Sequence, residues 1–286
     1  MTAHPELFPH AQVFLPPGVH PAPPGDAHPA LLAAARAALD AYAGAGHDRD
    51  ALSAIVADGA DGTPTMRIDE LVEDAVLAAL PAEANVLTEE TGWVDRGSAL
   101  TLVMDPVDGS ANAAAGVPLA AFSAALAEDG EFTEALTVWL DTGRSWWARR
   151  TTRGLRTTGR RELDGAAVSL LRPHPRNPGA LAAWMAVAER AARVRILSSS
   201  CLEAALVAQG ATDAFADAAS DTHRLVDIAA AVVLAESAGG AVRDVFGRPI
   251  ELDTDLTRRW SGVVAATPDL AHDLAEVLRA AATRPR

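Results

Sequence analysis

The chain has 286 residues, 49% of them hydrophobic, enough for one large domain or two modest ones that each bury a core. A formal net charge of −14 excludes nucleic acid as the expected partner, because a diffuse acidic surface repels its phosphates. No run of about 18 apolar residues or secretory pattern is present, so no membrane association is expected, and the single cysteine, Cys201, precludes an internal disulfide and fits a reducing, cytoplasmic setting.

Residues 1–28 carry seven Pro and four of the eight His without helical or strand period, and are read as a disordered tail. His4, His10, His20 and His28 belong to that solvated tail rather than to a metal site. Residues 29–45 read as a helix. The Gly- and Asp-rich stretch 46–65 reads as a loop or hairpin. Ile68, Leu71, Val72, Ala75, Val76, Ala79 and Leu80 then recur at the helical period up to Pro81. ALTLVM (99–104) is a buried strand, and 119–127, 133–140 and 145–150 form an antiparallel meander in which Trp139, Trp146 and Trp147 pack.

After about residue 165 strands and helices alternate. The segment LVDIAAAVVLAESA is apolar nearly all round and therefore belongs inside the protein. The fold class is α+β, in two subdomains: 29–165 with the main acidic motifs, and 166–286 with Asp227.

Three acidic clusters lie far apart in the chain: Glu89-Glu90, Asp105-Pro-Val-Asp108-Gly-Ser110, and Asp227. Singly, each has a plain reading as a solvated loop, a turn, or a complement to the helix dipole. Together they suggest a hard-cation site. Asp105 follows a buried strand, and Asp108 stands across a tight turn whose Pro and Gly aim both carboxylates at one point. Such oxygen ligands suit Mg²⁺, with Mn²⁺ as the alternative, and zinc spacing is absent. Lys is also absent, so a phosphate ester would depend on bound cations to invert the acidic field. The segment from Ser110 to Ala113 can begin a helix whose free N–H groups face a phosphate.

Glu89-Glu90, DPVDGSAN and VDIAAAVVLAESAGG, in this order, resemble the inositol monophosphatase superfamily. The likeness is strongest to archaeal-type enzymes acting on both fructose-1,6-bisphosphate and inositol-1-phosphate. It extends to DGTPTMRID, RVRILSSSCLEAALVAQG and TDAFAD, from about residue 30 to the end. The resemblance implies a layered α-β-α-β-α sandwich and a phosphomonoesterase using direct attack of a metal-activated water, with two or three Mg²⁺ ions. It implies that Glu89, Asp105 and the Val107 carbonyl hold one metal, and that Asp105, Asp108 and Asp227 hold a second. Glu89 would share a third through water. Gly109 and Ser110 would offer N–H groups to the phosphate. The Ser110 hydroxyl, backed by Asp69, would orient the water. Asp217, Ser199 and Ser200 would meet the substrate, a small phosphorylated polyol or sugar. Relatives are commonly dimers, so a homodimer is expected.

There are departures from the family pattern. Val226 stands where many relatives have Trp, Glu236 comes one place early, and Ala113 replaces an aromatic residue, which implies a wider pocket or one closed by another residue. Two alternatives remain: a nucleotide 3′-phosphatase, whose members usually carry Gly in place of Asn112, and a non-catalytic ligand- or cation-binding scaffold.

Overall fold

A computed structural model of the protein describes residues 24–82, 84–152, 154–173 and 176–283. The tail expectation for residues 1–23 falls outside them. Its last five residues are folded, contrary to the expected border at 28. Pro24–Asp26 form a 3₁₀ turn. The His28 N–H donates to Glu134 Oε1 (2.6 Å), and His28 Nδ1 accepts from the Ala30 N–H (3.2 Å) at the start of the next helix.

In chain order the first half comprises α1 (Pro29–Gly44), α2 (Arg49–Leu52), β1 (Ile55–Asp58), β2 (Pro64–Met66), α3 (Arg67–Ala79), β3 (Asn85–Thr88) and β4 (Gly92–Val94). There follow β5 (Leu100–Asp108), α4 (Ser110–Ala115), β6 (Ala121–Glu128), β7 (Glu131–Trp139) and β8 (Ser145–Arg149). The second half comprises β9 (Ala167–Leu170), α5 (Pro178–Arg190), β10 (Arg193–Arg195), α6 (Ser200–Ala208), β11 (Ala214–Ala216), α7 (Leu225–Ser237), β12 (Ala241–Asp244), β13 (Gly262–Ala265) and α8 (Pro268–Ala282).

The strands form a hairpin, β1–β2, and two larger sheets. One has the order β4-β3-β5-β6-β7-β8, the other β10-β9-β11-β13-β12. In the first sheet β3 and β5 run parallel and the remaining pairs antiparallel. In the second, β9 is parallel to both β10 and β11, while β13 is antiparallel to its neighbours.

Five layers result. Helices α1 and α3 bury Leu31, Ala34, Ile68, Val72 and Val76 against one face of the six-stranded sheet. Its other face packs on α6 and α7, through Val103, Ala125 and Trp146 against Leu202, Val226 and Val233. The same two helices turn Ala204, Val207, Ala231 and Ala235 toward Phe215 and Val264 of the five-stranded sheet. Helices α5 and α8 cover that sheet's far face. Being sandwiched between sheets explains why α7 is buried without interruption from Leu225 to Ala235.

The acidic turn expected after residue 104 is not a turn at its first carboxylate. Strand β5 continues through Pro106 to Asp108. Asp105 pairs with Ser123 and Asp108 with Ala121, so β5 has one extra residue over this interval: a β-bulge. Proline is tolerated there because a bulge interrupts the hydrogen-bond ladder. The break comes at Gly109, in the left-handed region at φ +88°, where a Cβ would stand 2.7 Å from the Leu119 carbonyl oxygen. Glycine is needed for both conformation and space.

Candidate active site

Three separate elements deliver the acidic side chains. Glu89 lies in the link between β3 and β4, Asp105 and Asp108 on the bulged end of β5, and Asp227 in the first turn of α7. The link is held from behind. Glu73, buried on α3, accepts hydrogen bonds from Thr88 Oγ1 (2.8 Å), Glu90 N (3.0 Å) and Thr91 N (2.7 Å). Glu90 points the other way, onto the Thr65 hydroxyl of β2.

The carboxylates perturb one another strongly. Burial, followed by the charges of Glu89, Asp108 and Asp227, pushes Asp105 well above the ordinary carboxylate range. Burial raises Glu89 to about 8 despite the opposing Arg224, and Asp227, Glu90 and Asp69 add to the rise. Asp108 is also raised by burial, although the Ser199 hydroxyl and Cys201 N–H favour its charged form. Asp227 is the exception. Burial opposes its charge, but Arg224 outweighs burial and holds its pKa below the usual value.

Asp105 Oδ1 accepts from the Val107 N–H (3.0 Å), while the buried Oδ2 has no hydrogen-bond partner among the described residues. A buried carboxylate oxygen without a donor costs free energy unless a cation or water satisfies it. Ligand atoms of Asp105, Asp108 and Cys201 lie within 4.8 Å of one another. A mainly carboxylate donor set with an orphaned oxygen fits a hard divalent cation.

Beyond the bulge, Ala113 N is bonded to Gly109 O (3.0 Å), so the amides of Ser110 to Asn112 precede the first helical bond of α4. The Ser110 hydroxyl donates to the Val107 carbonyl (3.1 Å). Asp69, in the first turn of α3, accepts from Met66 N (3.1 Å). Burial raises its pKa to about 6, and the neighbouring Ser110 hydroxyl works in the opposite direction. Glu89, Asp105, Val107, Asp108, Gly109, Ser110, Asp69 and Asp227 therefore converge on one region.

The hydrogen bonds of two residues expected at the substrate are taken up within the protein. Ser199 is fully buried, and its hydroxyl donates to Asp108 Oδ2 (2.7 Å), which also accepts from Cys201 N (2.7 Å). Its observed job is to orient a carboxylate. Asp217 is likewise fully buried. Its oxygens accept from Ser220 N (3.0 Å), Thr222 N (2.9 Å) and Thr222 Oγ1 (2.8 Å), which ties down the loop before α7. Ser200, 8% exposed, opens α6 beside them.

Arg224 was not singled out from the sequence. Its guanidinium reaches Asp61, Glu89 and Asp227 together. Asp61 lies in the DGTPTM segment between β1 and β2 and is also met by Arg259 (3.3 Å). The available signal was a cation three residues before Asp227 in an otherwise apolar helix start. Asn112 is a further tie, its Nδ2 donating to the carbonyls of Leu119 (3.0 Å) and Leu197 (2.8 Å).

A five-layer sandwich with buried carboxylates beside free helix-start amides defines a class, the hydrolases of phosphate monoesters that work with metal ions. The chain belongs to the inositol monophosphatase family, whose model matches residues 27–283. It is 30% identical over 224 residues to a fructose-1,6-bisphosphatase/inositol-1-monophosphatase of Thermococcus kodakarensis, covering 76% of this chain and 84% of that protein. It is also 30% identical over 268 residues to the inositol-1-monophosphatase ImpA of Mycolicibacterium smegmatis, covering 87% and 92%. Among solved structures, an inositol monophosphatase-fructose 1,6-bisphosphatase superposes with a TM-score of 0.73 at 25% identity, covering 87% of this chain and 96% of the other.

Proposed function

We propose that this phosphatase hydrolyses inositol-1-phosphate, fructose-1,6-bisphosphate or both, with Mg²⁺ as its cofactor. The observation that carries the reading is the convergence of Glu89, Asp105, Asp108 and Asp227, close enough for each of the other three to raise the pKa of Asp105. The substrate choice rests on relatives named for those two activities.

Glu89, Asp105 and the Val107 carbonyl would hold one ion, and Asp105, Asp108 and Asp227 a second, with Glu89 also serving a looser third. Bound there, the cations would polarise the phosphoryl group and lower the pKa of the attacking water. The chain's own residues would do the rest. The Gly109 and Ser110 amides would face the phosphoryl oxygens. Asp69, mostly ionised near neutral pH at a pKa of about 6, would accept a hydrogen bond that fixes the water through Ser110. Ser199 would keep Asp108 aimed. A cytoplasmic homodimer acting on small phosphorylated polyols is the setting this reading implies.

The 3′-nucleotidase and scaffold alternatives are not favoured, since Asn112 is retained and every expected carboxylate is present. A panel of phosphate esters assayed with Mg²⁺ tests the proposal. The kcat/KM for inositol-1-phosphate or fructose-1,6-bisphosphate is expected to exceed that for a nucleoside 3′,5′-bisphosphate by at least about tenfold, roughly 1.4 kcal/mol of transition-state discrimination. Highest kcat/KM on the nucleotide would overturn the substrate assignment and leave the family standing.

A further inference from the structure

Arg224 is more than a counter-ion beside the cluster, because it occupies the oxygens that the cations would need. Its Nη1 contacts Glu89 Oε1 and lies 3.0 Å from Asp61 Oδ2. Its Nε and Nη2 form a two-pronged pair with Asp227, at 3.1 Å to Oδ2 and 2.9 Å to Oδ1. Both oxygens of Asp227 and one of Glu89 are thus engaged by a single guanidinium. Mg²⁺ needs such oxygens at about 2.0–2.1 Å. A guanidinium sharing the same oxygen at about 3 Å would then sit only a few ångströms from the ion, where like charges in a poorly solvated site repel strongly.

The surroundings allow the side chain to leave. Asp61 retains hydrogen bonds from Thr63 N (2.8 Å) and Thr63 Oγ1 (2.7 Å) and its contact with Arg259. The backbone N–H of Arg224 still caps α7 by donating to Asp227 Oδ2 (2.5 Å), whatever the side chain does. The Arg224 side chain is 16% exposed, so a route to solvent exists.

We propose that Arg224 is a built-in placeholder cation. Its guanidinium occupies Glu89 and Asp227 in the metal-free protein, and divalent-cation binding displaces it. The exchange lets the cluster fold without metal and weakens metal affinity by the free energy needed to expel the arginine. This inference rests on the metal-centre reading above.

The test uses the full chain freed of metal by chelation. Calorimetric titration with Mg²⁺ is expected to show R224Q binding at least about tenfold more tightly than wild type, because the competitor is gone. The metal-free variant should melt several degrees lower, because its carboxylates have lost their cation. Equal or weaker affinity in a folded R224Q would overturn the proposal. Should R224Q not fold, the wild type still decides. The Arg224 Nε–H resonance, held by Asp227 without metal, should move toward the free-arginine position at saturating Mg²⁺, and an unmoved resonance would overturn displacement. If the wild type binds no Mg²⁺ at all, the metal centre itself fails and the placeholder with it, an outcome distinct from intact binding that is insensitive to Arg224.

Discussion

Replacing Asp105 by Asn is expected to lower kcat by roughly 10³-fold or more, beyond the ~10–100-fold typical of an outer-shell partner of a metal site, without unfolding the protein. In the proposed site Asp105 would be common to both principal ion positions, and its Oδ2 has no hydrogen-bond partner among the described residues. The Asn carbonyl can still accept from Val107 N, as Oδ1 does now. The new NH₂ would act as a donor and stays uncharged at every pH, whereas the Asp105 carboxyl becomes an anion that repels its neighbours as pH rises. Metal-free stability should therefore hold or rise. The sign follows from linkage. A carboxylate whose folded pKa is raised contributes stability in its protonated form, and that stability is lost as pH climbs through the folded value. With Glu89 raised to about 8 and Asp105 well above its ordinary range, the metal-free wild type should lose stability as pH rises from about 4.5 through about 8. D105N should flatten that decline. Thermal melts across pH, with and without chelator, check both statements. A D105N enzyme with near-normal kcat would remove Asp105 from the chemistry.

Asp227→Asn should also cost kcat, by about 10²-fold or more, with a much higher Mg²⁺ requirement. A dipole complement alone would change stability by only about 0.3–1 kcal/mol and leave catalysis intact. The structure adds a two-pronged contact with Arg224, so removing the charge weakens a buried ion pair. Losing one partner of such a pair costs about 3–5 kcal/mol when the other charge is stranded. Here Glu89 and Asp61 remain beside Arg224, so an intermediate loss of about 1–3 kcal/mol is expected. Urea unfolding and steady-state kinetics over a Mg²⁺ titration read the two effects separately. Unchanged metal dependence would restrict Asp227 to capping.

Much of this architecture is legible in the sequence because it is carried by local period. The 3.6-residue recurrence over Ile68–Leu80 and the unbroken apolar character of 225–235 give α3 and the central α7, and turn signals give the β6–β8 meander. The carboxylate positions are legible because they stand in compact motifs. What escapes is set by tertiary pairing. Nothing in the local sequence sets Glu73 apart, yet it is buried, because Thr88 at the end of β3 and the Glu89 link supply three donors to it. Strand β3 is too short, at four residues, to show a period, and its place between β4 and β5 appears only in the sheet. Pro106 signals a turn, but the bulge keeps it in the strand. Arg224 finds Asp61 across 163 positions, a separation that no window reveals. That neighbouring groups take up the hydrogen bonds of Ser199 and Asp217 is likewise visible only in the folded chain.

Carboxylates from three distant segments are proposed to act together as one divalent-cation centre for phosphate-ester hydrolysis. The decisive measurement is phosphate release from inositol-1-phosphate and fructose-1,6-bisphosphate by the full chain, first after exhaustive chelation and then across a Mg²⁺ titration. No turnover above background is expected without metal, with saturable recovery of hydrolysis on at least one of the two esters as Mg²⁺ is restored. Undiminished hydrolysis by the chelated, metal-free protein would show that the carboxylates do not form a catalytic metal centre.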